Sequence, residues 1–224
     1  MLKEDVQVVE KRGIHFILDE KGKPVRFTPW LGDSVSFLYD IIMKRLVIPR
    51  KLGGDMERHY EILREILSGV HGKRVIEVAT GTGSVVNFLP WDNHYTGTDI
   101  SPGLLRKAAV TVKVAGFAES TFYVAQADDL PFTDDEFDVG LCILSLNFFP
   151  AVPAVLREMH RVLVPGGVFV CSAPAPERNH RRSTIRGTLY PEKKLRELCQ
   201  GAGLSFDVVP EDNGTLLYFT ATVA

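Results

Sequence analysis

Val75-Ile76-Glu77-Val78-Ala79-Thr80-Gly81-Thr82-Gly83 is the stretch that decides the fold. Apolar, β-favouring residues with one carboxylate among them run into a turn of small residues carrying two glycines. Val85-Val86 and Phe88-Leu89 then recur at helical spacing, which predicts a strand over 74–79, a tight turn and a helix over about 84–89. Glycine puts no Cβ between backbone and visitor, and N–H groups at a helix start point outward, so such a turn can receive a ligand.

Downstream the strand–helix unit repeats. His94-Tyr95-Thr96-Gly97-Thr98-Asp99 is a short strand ending in an acid, and Pro102 opens a helix that runs to about Ala115 and is closed by Gly116. Thr121 to Ala125 is the third strand, and Phe137 to Leu144 the fourth, almost wholly apolar as a strand covered on both faces must be. A helix over 151–163 has the apolar face Val155-Leu156, Met159 and Val162-Leu163, turns His160 and Arg161 to solvent, and stops at Pro165-Gly166-Gly167. Val168 to Ala173 is the fifth strand. Pro191 opens another helix, to about Gly201. Ser205 to Val209 and Leu216 to Val223 follow as strands joined by Glu211-Asp212-Asn213-Gly214, and Asn-Gly is a strong hairpin signal. The alternation predicts an α/β, doubly wound, mostly parallel seven-stranded sheet with an antiparallel C-terminal hairpin.

Upstream, Gly13 to Leu18 and Pro24 to Phe27 flank the turn cluster Asp19-Glu20-Lys21-Gly22-Lys23, so residues 6–27 read as an extended pair. It fits an edge addition, a contact in a homodimer, or a cover over a site. His15 in it reads as a structural histidine with its hydrogen bonds met. Phe37-Leu38, Ile41-Ile42 and Leu46, with Asp33-Ser34 as cap and Pro49 as stop, predict one helix, and Ile62-Leu63 and Ile66-Leu67 a second over Met56 to Leu67. Residues 1–72 are thus a hairpin and helices covering a site, and residues 73–224 the core that carries it.

Composition narrows the class. Hydrophobic residues make up 45 %, charged residues 24 %, and the net charge is −2, so nucleic acid and anionic membrane surfaces are not the expected partners. Cys142, Cys171 and Cys199 lie far apart with no paired spacing, which fits a reducing, cytoplasmic setting and gives no metal-ligand pattern. The acidic N-terminus lacks the apolar core of a signal peptide, and the apolar run Val139 to Phe149 is too short to span a bilayer.

An open parallel sheet binds its ligand beyond the carboxyl ends of its strands. Four features fall there: the Gly81-x-Gly83 turn; Asp99, 16 positions after Gly83; Asp128-Asp129 after the third strand; and Ser145-Leu146-Asn147 after the fourth. An acid at the second strand end can accept from both hydroxyls of a ribose, and a carboxylate at the third from an adenine amino group. Each has a plainer reading: Asp99 as a helix cap, Asp128 as a turn former, Asn147 as a loop residue. The ordered set argues for an adenosine site.

Taken with Glu77-Val78-Ala79-Thr80-Gly81-Thr82-Gly83, the segments Gly97-Thr98-Asp99-Ile100-Ser101, Ala127-Asp128-Asp129-Leu130-Pro131-Phe132, Phe137-Asp138-Val139 and Arg157 to Gly167 resemble the successive motifs of class I S-adenosylmethionine-dependent methyltransferases, most closely the type 11, ubiquinone/menaquinone-biosynthesis-like branch. The likeness is strong over about 73–173. It implies the Rossmann-like methyltransferase fold, S-adenosylmethionine as cofactor and a small-molecule methyl acceptor. It implies that Glu77 orients the methionine amino group through water, that Ala79, Thr80, Gly81 and Gly83 line the methionine part, that Asp99 holds the ribose and Ile100 lies beside the adenine, and that Ser101 belongs to the same cofactor-binding set. Asp128 would meet the adenine amino group with Asp129 and Leu130 alongside, and Leu144 and Ser145 would face the transfer centre. Ala79 stands where the family has its first glycine; a negative φ there would leave the turn and the binding intact.

Methyl transfer from a sulfonium relies on positioning and desolvation, so no acid or base is required for every nucleophile and none is assigned. Tyr39, Tyr60, Asn147, Arg178 and His180 are candidates for contact with the acceptor; the cationic run Arg178, His180, Arg181, Arg182 and Arg186 suits an anionic acceptor or a solvated loop. Two other classes compete: a non-catalytic S-adenosylmethionine-binding sensor or assembly protein, and a nicotinamide-dependent oxidoreductase, which would need a third glycine where Val86 stands.

Overall fold

A computed structural model describes residues 1–27, 49–180 and 184–224. The helix expected before Pro49, with Tyr39 in it, lies outside the described residues, as do Arg181 and Arg182. One nine-stranded sheet organises the rest, in the order β1-β2-β5-β4-β3-β6-β7-β9-β8. Its strands are β1 Val8–Lys11, β2 Ile14–Ile17, β3 Arg74–Val78, β4 His94–Asp99, β5 Ser120–Val124, β6 Phe137–Ile143, β7 Leu163–Pro174, β8 Asp207–Val208 and β9 Leu216–Thr222. The helices are α1 Met56–Leu67, α2 Pro102–Val114, α3 Val152–Val162 and α4 Glu192–Gly201. Pairing is parallel from β2 through β7 and antiparallel at β1–β2, β7–β9 and β9–β8. No helix among the described residues is long and apolar enough to cross a membrane.

The two extra strands come from the N-terminal hairpin. β1 and β2 are joined by a turn the sequence did not suggest, at Arg12-Gly13, where φ is 57° and 76°, the positive pair that a two-residue hairpin turn needs. The turn expected at 19–23 is also present, with Leu18 bridged antiparallel to Pro24 and the Asp19 N–H donating to the Lys23 carbonyl at 2.8 Å. The 19–23 segment is a loop in which Asp19 Oδ1 accepts from the N–H groups of Lys21 and Lys23. β2 lies parallel to β5, His15 opposite Tyr123 and Phe16 opposite Val124, so the hairpin extends the sheet edge. His15 stacks on Tyr123 at 4.7 Å, and its Nδ1 has no hydrogen-bond partner among the described residues, so this histidine is held by stacking and not by the satisfied polar contacts expected of it.

Alternate strand residues feed two cores, one on each face. Ile76, Val78 and Cys142 pack with Leu156, Met159, Leu195 and Cys199 under α3 and α4. Val75 and Leu141 pack with Leu67, Leu105, Ala108 and Val112 under α1 and α2. β3, β6 and β7 feed both cores and are therefore covered on both faces, which is why their buried stretches read as apolar runs. Cys142 and Cys171 are register partners on β6 and β7, buried as small core residues.

Three further elements differ from expectation. The helix over 84–89 is a 3-10 turn, Ser84–Asn87, entered from left-handed Gly83 and tightened by Asn87 Nδ2 donating to the Ser84 carbonyl at 2.9 Å. β7 begins at Leu163, directly out of α3, with a register shift against β6 between Phe137 and Val139. Arg161 is not turned to solvent. Its guanidinium donates to Glu158, to Asp134 and to the carbonyls of Leu130 and Phe132, while Glu158 accepts from the Leu130 N–H. This network ties α3 to the loop after β5 that carries Asp128.

Candidate active site

β3 and β6 are the neighbours between which strand order reverses, so the cleft opens at their carboxyl ends. Each of these strands is followed by a non-glycine residue in the left-handed region: Ala79 with φ 52° and Leu144 with φ 59°. Such a conformation costs roughly 1–2 kcal/mol per residue. The negative φ expected at Ala79 is thus overturned. Thr80 N–H donating to the Thr98 carbonyl at 2.9 Å, and Leu144 N–H to the Ser172 carbonyl at 2.9 Å, hold the two kinks against neighbouring strands. Two of the four non-glycine left-handed residues among the described residues thus stand at these two adjacent strand ends.

The turn itself is built on β4. Gly81 N–H donates to Asp99 Oδ2 and Ser101 N–H to Asp99 Oδ1, each at 2.9 Å. The helix cap is Ser101, whose hydroxyl accepts from the Leu104 N–H at 3.2 Å, which frees Asp99 from that task. Gly83 has φ 75° and meets α2 so closely that a Cβ would lie 3.2 Å from the Ala108 Cα; Gly97 likewise leaves room for Thr80, whose Oγ1 a Cβ would approach to 2.9 Å. Gly83 therefore sets the turn against α2 and does not line the cleft.

Two adjoining chambers result. One, of about 300 Å³, is lined by Glu77, Ala79, Thr80, Gly81, Leu144 and Ser145 and roofed by Met56, His59, Tyr60 and Leu63 of α1, with Phe88 at its side. The other, of about 230 Å³, is lined by Asp99, Ile100, Ser101 and Asp128, with Leu104, Phe148 and Phe149 as apolar walls. Ala79, Gly81 and Ser145 border both. Glu77 is 4 % exposed and accepts a short hydrogen bond from the Tyr95 hydroxyl. Burial pushes its carboxyl up to about 8; the charge of Asp99 adds to this, and hydrogen bonds from Tyr95 and Thr80 oppose it.

The remaining expected residues lie elsewhere. Asp129 turns outward, its side chain 85 % exposed and 3.6 Å from the Lys3 ammonium, and Leu130 is in the α3-side core. Asn147 is buried, with Nδ2 donating to the Arg186 carbonyl at 2.7 Å. Arg178 donates to the carbonyls of Glu211 and Leu216 at 2.6 and 3.0 Å, so its guanidinium braces the loop before β9. His180 is exposed on that surface. Of the acceptor candidates, Tyr60 alone among the described residues lines the larger chamber, stacked on Phe88 at 4.8 Å.

His59 was missed. It sits on the buried face of α1 with Ile62 and Leu63 and lines the larger chamber; a polar residue on that apolar stripe was the available signal. Burial pushes its imidazole down to about 4. Tyr95, the partner of Glu77, carried no signal beyond its place on β4.

Comparison with known proteins agrees with this geometry. Residues 76–171 match the type 11 methyltransferase-domain model. The chain is 36 % identical over 101 residues to a probable phthiotriol/phenolphthiotriol dimycocerosates methyltransferase of Mycobacterium ulcerans, which covers 44 % of this chain and 38 % of that protein. It is 32 % identical over 116 residues to the demethylmenaquinone methyltransferase of Symbiobacterium thermophilum, covering 48 % and 46 %. The chain thus spans less than half the length of these relatives. In fold it resembles the putative methyltransferase solved with the Haloferax volcanii Trm112 activator, with a TM-score of 0.66 at 21 % identity, over 86 % of this chain and 95 % of that one. Residues 76–171 are therefore a class I methyltransferase domain of the type 11 branch, a family whose cofactor is S-adenosylmethionine.

Proposed function

We propose that this chain transfers the methyl group of S-adenosylmethionine to a small, largely apolar acceptor held under α1. The observation that carries the reading is the meeting of two unlike chambers at Ala79, Gly81 and Ser145. The smaller has carboxylates at two strand ends and apolar walls between them, the arrangement an adenosine needs: Asp99 for the ribose, Asp128 for the adenine amino group, Ile100 and Leu104 for the ring. The larger offers Glu77 to the methionine ammonium and an apolar roof of Met56 and Leu63.

When bound, the cofactor supplies an electrophilic methyl group that an acceptor atom takes in line, leaving S-adenosylhomocysteine. The chain's own part is positional. Asp99 would hold the ribose and Glu77 the methionine part of the cofactor, and the α1 roof would keep water from the transfer path. The names of the relatives, a demethylmenaquinone methyltransferase and a methyltransferase of phthiotriol lipids, support an apolar acceptor.

Calorimetric titration with S-adenosylhomocysteine and with NAD tests the cofactor: the first binds and the second does not. No binding of S-adenosylhomocysteine at up to about a millimolar overturns the reading. Mass spectrometry over a panel of phenols, quinols and fatty acids tests transfer. Binding without transfer to any of them would make the chain a non-catalytic S-adenosylmethionine-binding protein.

A further inference from the structure

His59 is 2 % exposed and lines the larger chamber. Its Nδ1 lies 2.8 Å from the hydroxyl of Tyr218 on β9, and the Asn213 side-chain amide donates to the same hydroxyl at 3.1 Å. Which atom donates to which is fixed by the backbone. The Asp55 N–H donates to Asn213 Oδ1 at 2.7 Å, and Asn213 Nδ2 donates to the Asp55 carbonyl at 3.0 Å. A backbone N–H only donates and a carbonyl only accepts, so the amide has one orientation and its Nδ2 end faces Tyr218.

The Tyr218 oxygen thus accepts a hydrogen bond from Asn213 and has its own O–H to place. Tyr218 is 1 % exposed, and among the described residues the acceptor in reach is Nδ1 of His59. A neutral imidazole whose Nδ1 accepts carries its proton on Nε2. The ring is neutral, because burial pushes it down to about 4. With Nδ1 turned to Tyr218, the edge bearing Nε2 is the one left for the cleft.

We infer that His59 presents a fixed Nε2–H donor to the larger chamber, and that this donor binds a carboxylate, carbonyl or phenolate oxygen of the cleft ligand. It does not serve as a general base. A bare Nε2 would put the proton on Nδ1, and the buried Tyr218 hydroxyl would then have no acceptor among the described residues. The ligand's identity rests on the methyltransferase reading, and two sources share the chemistry: the cofactor's methionine carboxylate, and an oxygen of the methyl acceptor.

Nitrogen-15 spectra of the ligand-free full chain read the tautomer directly. The expected result is a protonated Nε2 and a bare Nδ1 near neutral pH; a protonated Nδ1, or an imidazolium, overturns the proposal. Calorimetry on wild type and His59→Phe then assigns the oxygen, using S-adenosylhomocysteine and 5′-methylthioadenosine, which lacks the carboxylate. A roughly ten- to hundredfold loss for the first with the second unchanged assigns it to the cofactor. If neither changes, adding 1-hydroxy-2-naphthoate to the wild-type S-adenosylhomocysteine complex must shift the Nε2–H resonance. A resonance moved by none of the three ligands overturns the proposal. Should His59→Phe not fold, the wild-type resonance with and without each adenosine ligand gives the same assignment. If wild type binds neither adenosine ligand, the methyltransferase reading fails, and the tautomer measurement still decides whether the donor exists.

Discussion

The adenosine chamber and the chamber under α1 open at the same strand ends, but they are assembled over very different distances along the chain. In the first, Asp99 accepts from Gly81, 18 residues before it, and from Ser101, two residues after. In the second, Asp55 meets Asn213 across 158 residues and His59 meets Tyr218 across 159. Successive strand ends of a parallel sheet are brought together by the sheet itself, so residues placed there need only local signals. The roof needs both ends of the chain, and its polar contacts are pairs that no local window of sequence contains.

The sharpest way to break this contrast is Asp99→Ala. It removes the acceptor for a ribose and for two backbone N–H groups, and S-adenosylhomocysteine affinity should fall by about 1.5–3 kcal/mol in calorimetry. Unchanged affinity would mean the smaller chamber is not the ribose site.

How much of the molecule is readable follows the same division. The parallel core, the Gly81–Gly83 turn and the chambers' placement of Asp99 and Asp128 follow from periodicity, glycine and the strand-end rule, all local. Arg12-Gly13 did not announce its hairpin, because arginine is not a usual left-handed residue, and the Gly-containing cluster at 19–23 carried the stronger turn signal. Asn213-Gly214 announced a tight hairpin, yet Asn213 is buried and spends its amide on Asp55 and Tyr218. Arg161 read as a surface cation because the carbonyls of Leu130 and Phe132 that it meets lie on another element. Burial and long-range partners decide these cases, and composition does not encode either.

Next in size is the pH dependence of the methionine end. Glu77 titrates at about 8 instead of 4.5, so below that pH the ligand-free carboxyl is protonated and ill suited to an ammonium. Affinity for S-adenosylhomocysteine should rise by up to about tenfold per pH unit and level off above about pH 8, and Glu77→Gln should flatten the slope. Stability has the opposite sign. A carboxyl with a raised folded value contributes fully below about 4.5 and loses that contribution as pH rises through 8, so thermal melts should fall over this window and fall less in Glu77→Gln.

Tyr218→Phe tests the roof without touching the adenosine chamber. It leaves the Asn213 amide and His59 Nδ1 each short of a partner, and urea unfolding should show a loss of about 1–3 kcal/mol. Ala79→Gly should be neutral to about 1 kcal/mol more stable, since relief of the left-handed strain is partly offset by a freer unfolded chain. A clear loss of stability would show that the alanine methyl is needed where it stands. The smallest effect is expected at Asp129→Ala, within about 0.5 kcal/mol of wild type in both stability and S-adenosylhomocysteine affinity, because the side chain faces solvent and a surface lysine. Asp128→Ala beside it should weaken that affinity, which separates the two neighbouring acids.

The Val8–Lys11 hairpin strand has a consequence for solubility. Without β1 and β2, the margin of the sheet would be β5, a five-residue strand whose unpaired N–H and C=O groups invite another chain to dock. With them, the margin is a four-residue strand whose second half, Glu10 and Lys11, is charged and exposed. Among the described residues β1 thus gives the sheet a shorter and more charged margin than β5 would, which disfavours edge-to-edge pairing. A chain shortened past the hairpin should precipitate at concentrations the full protein tolerates.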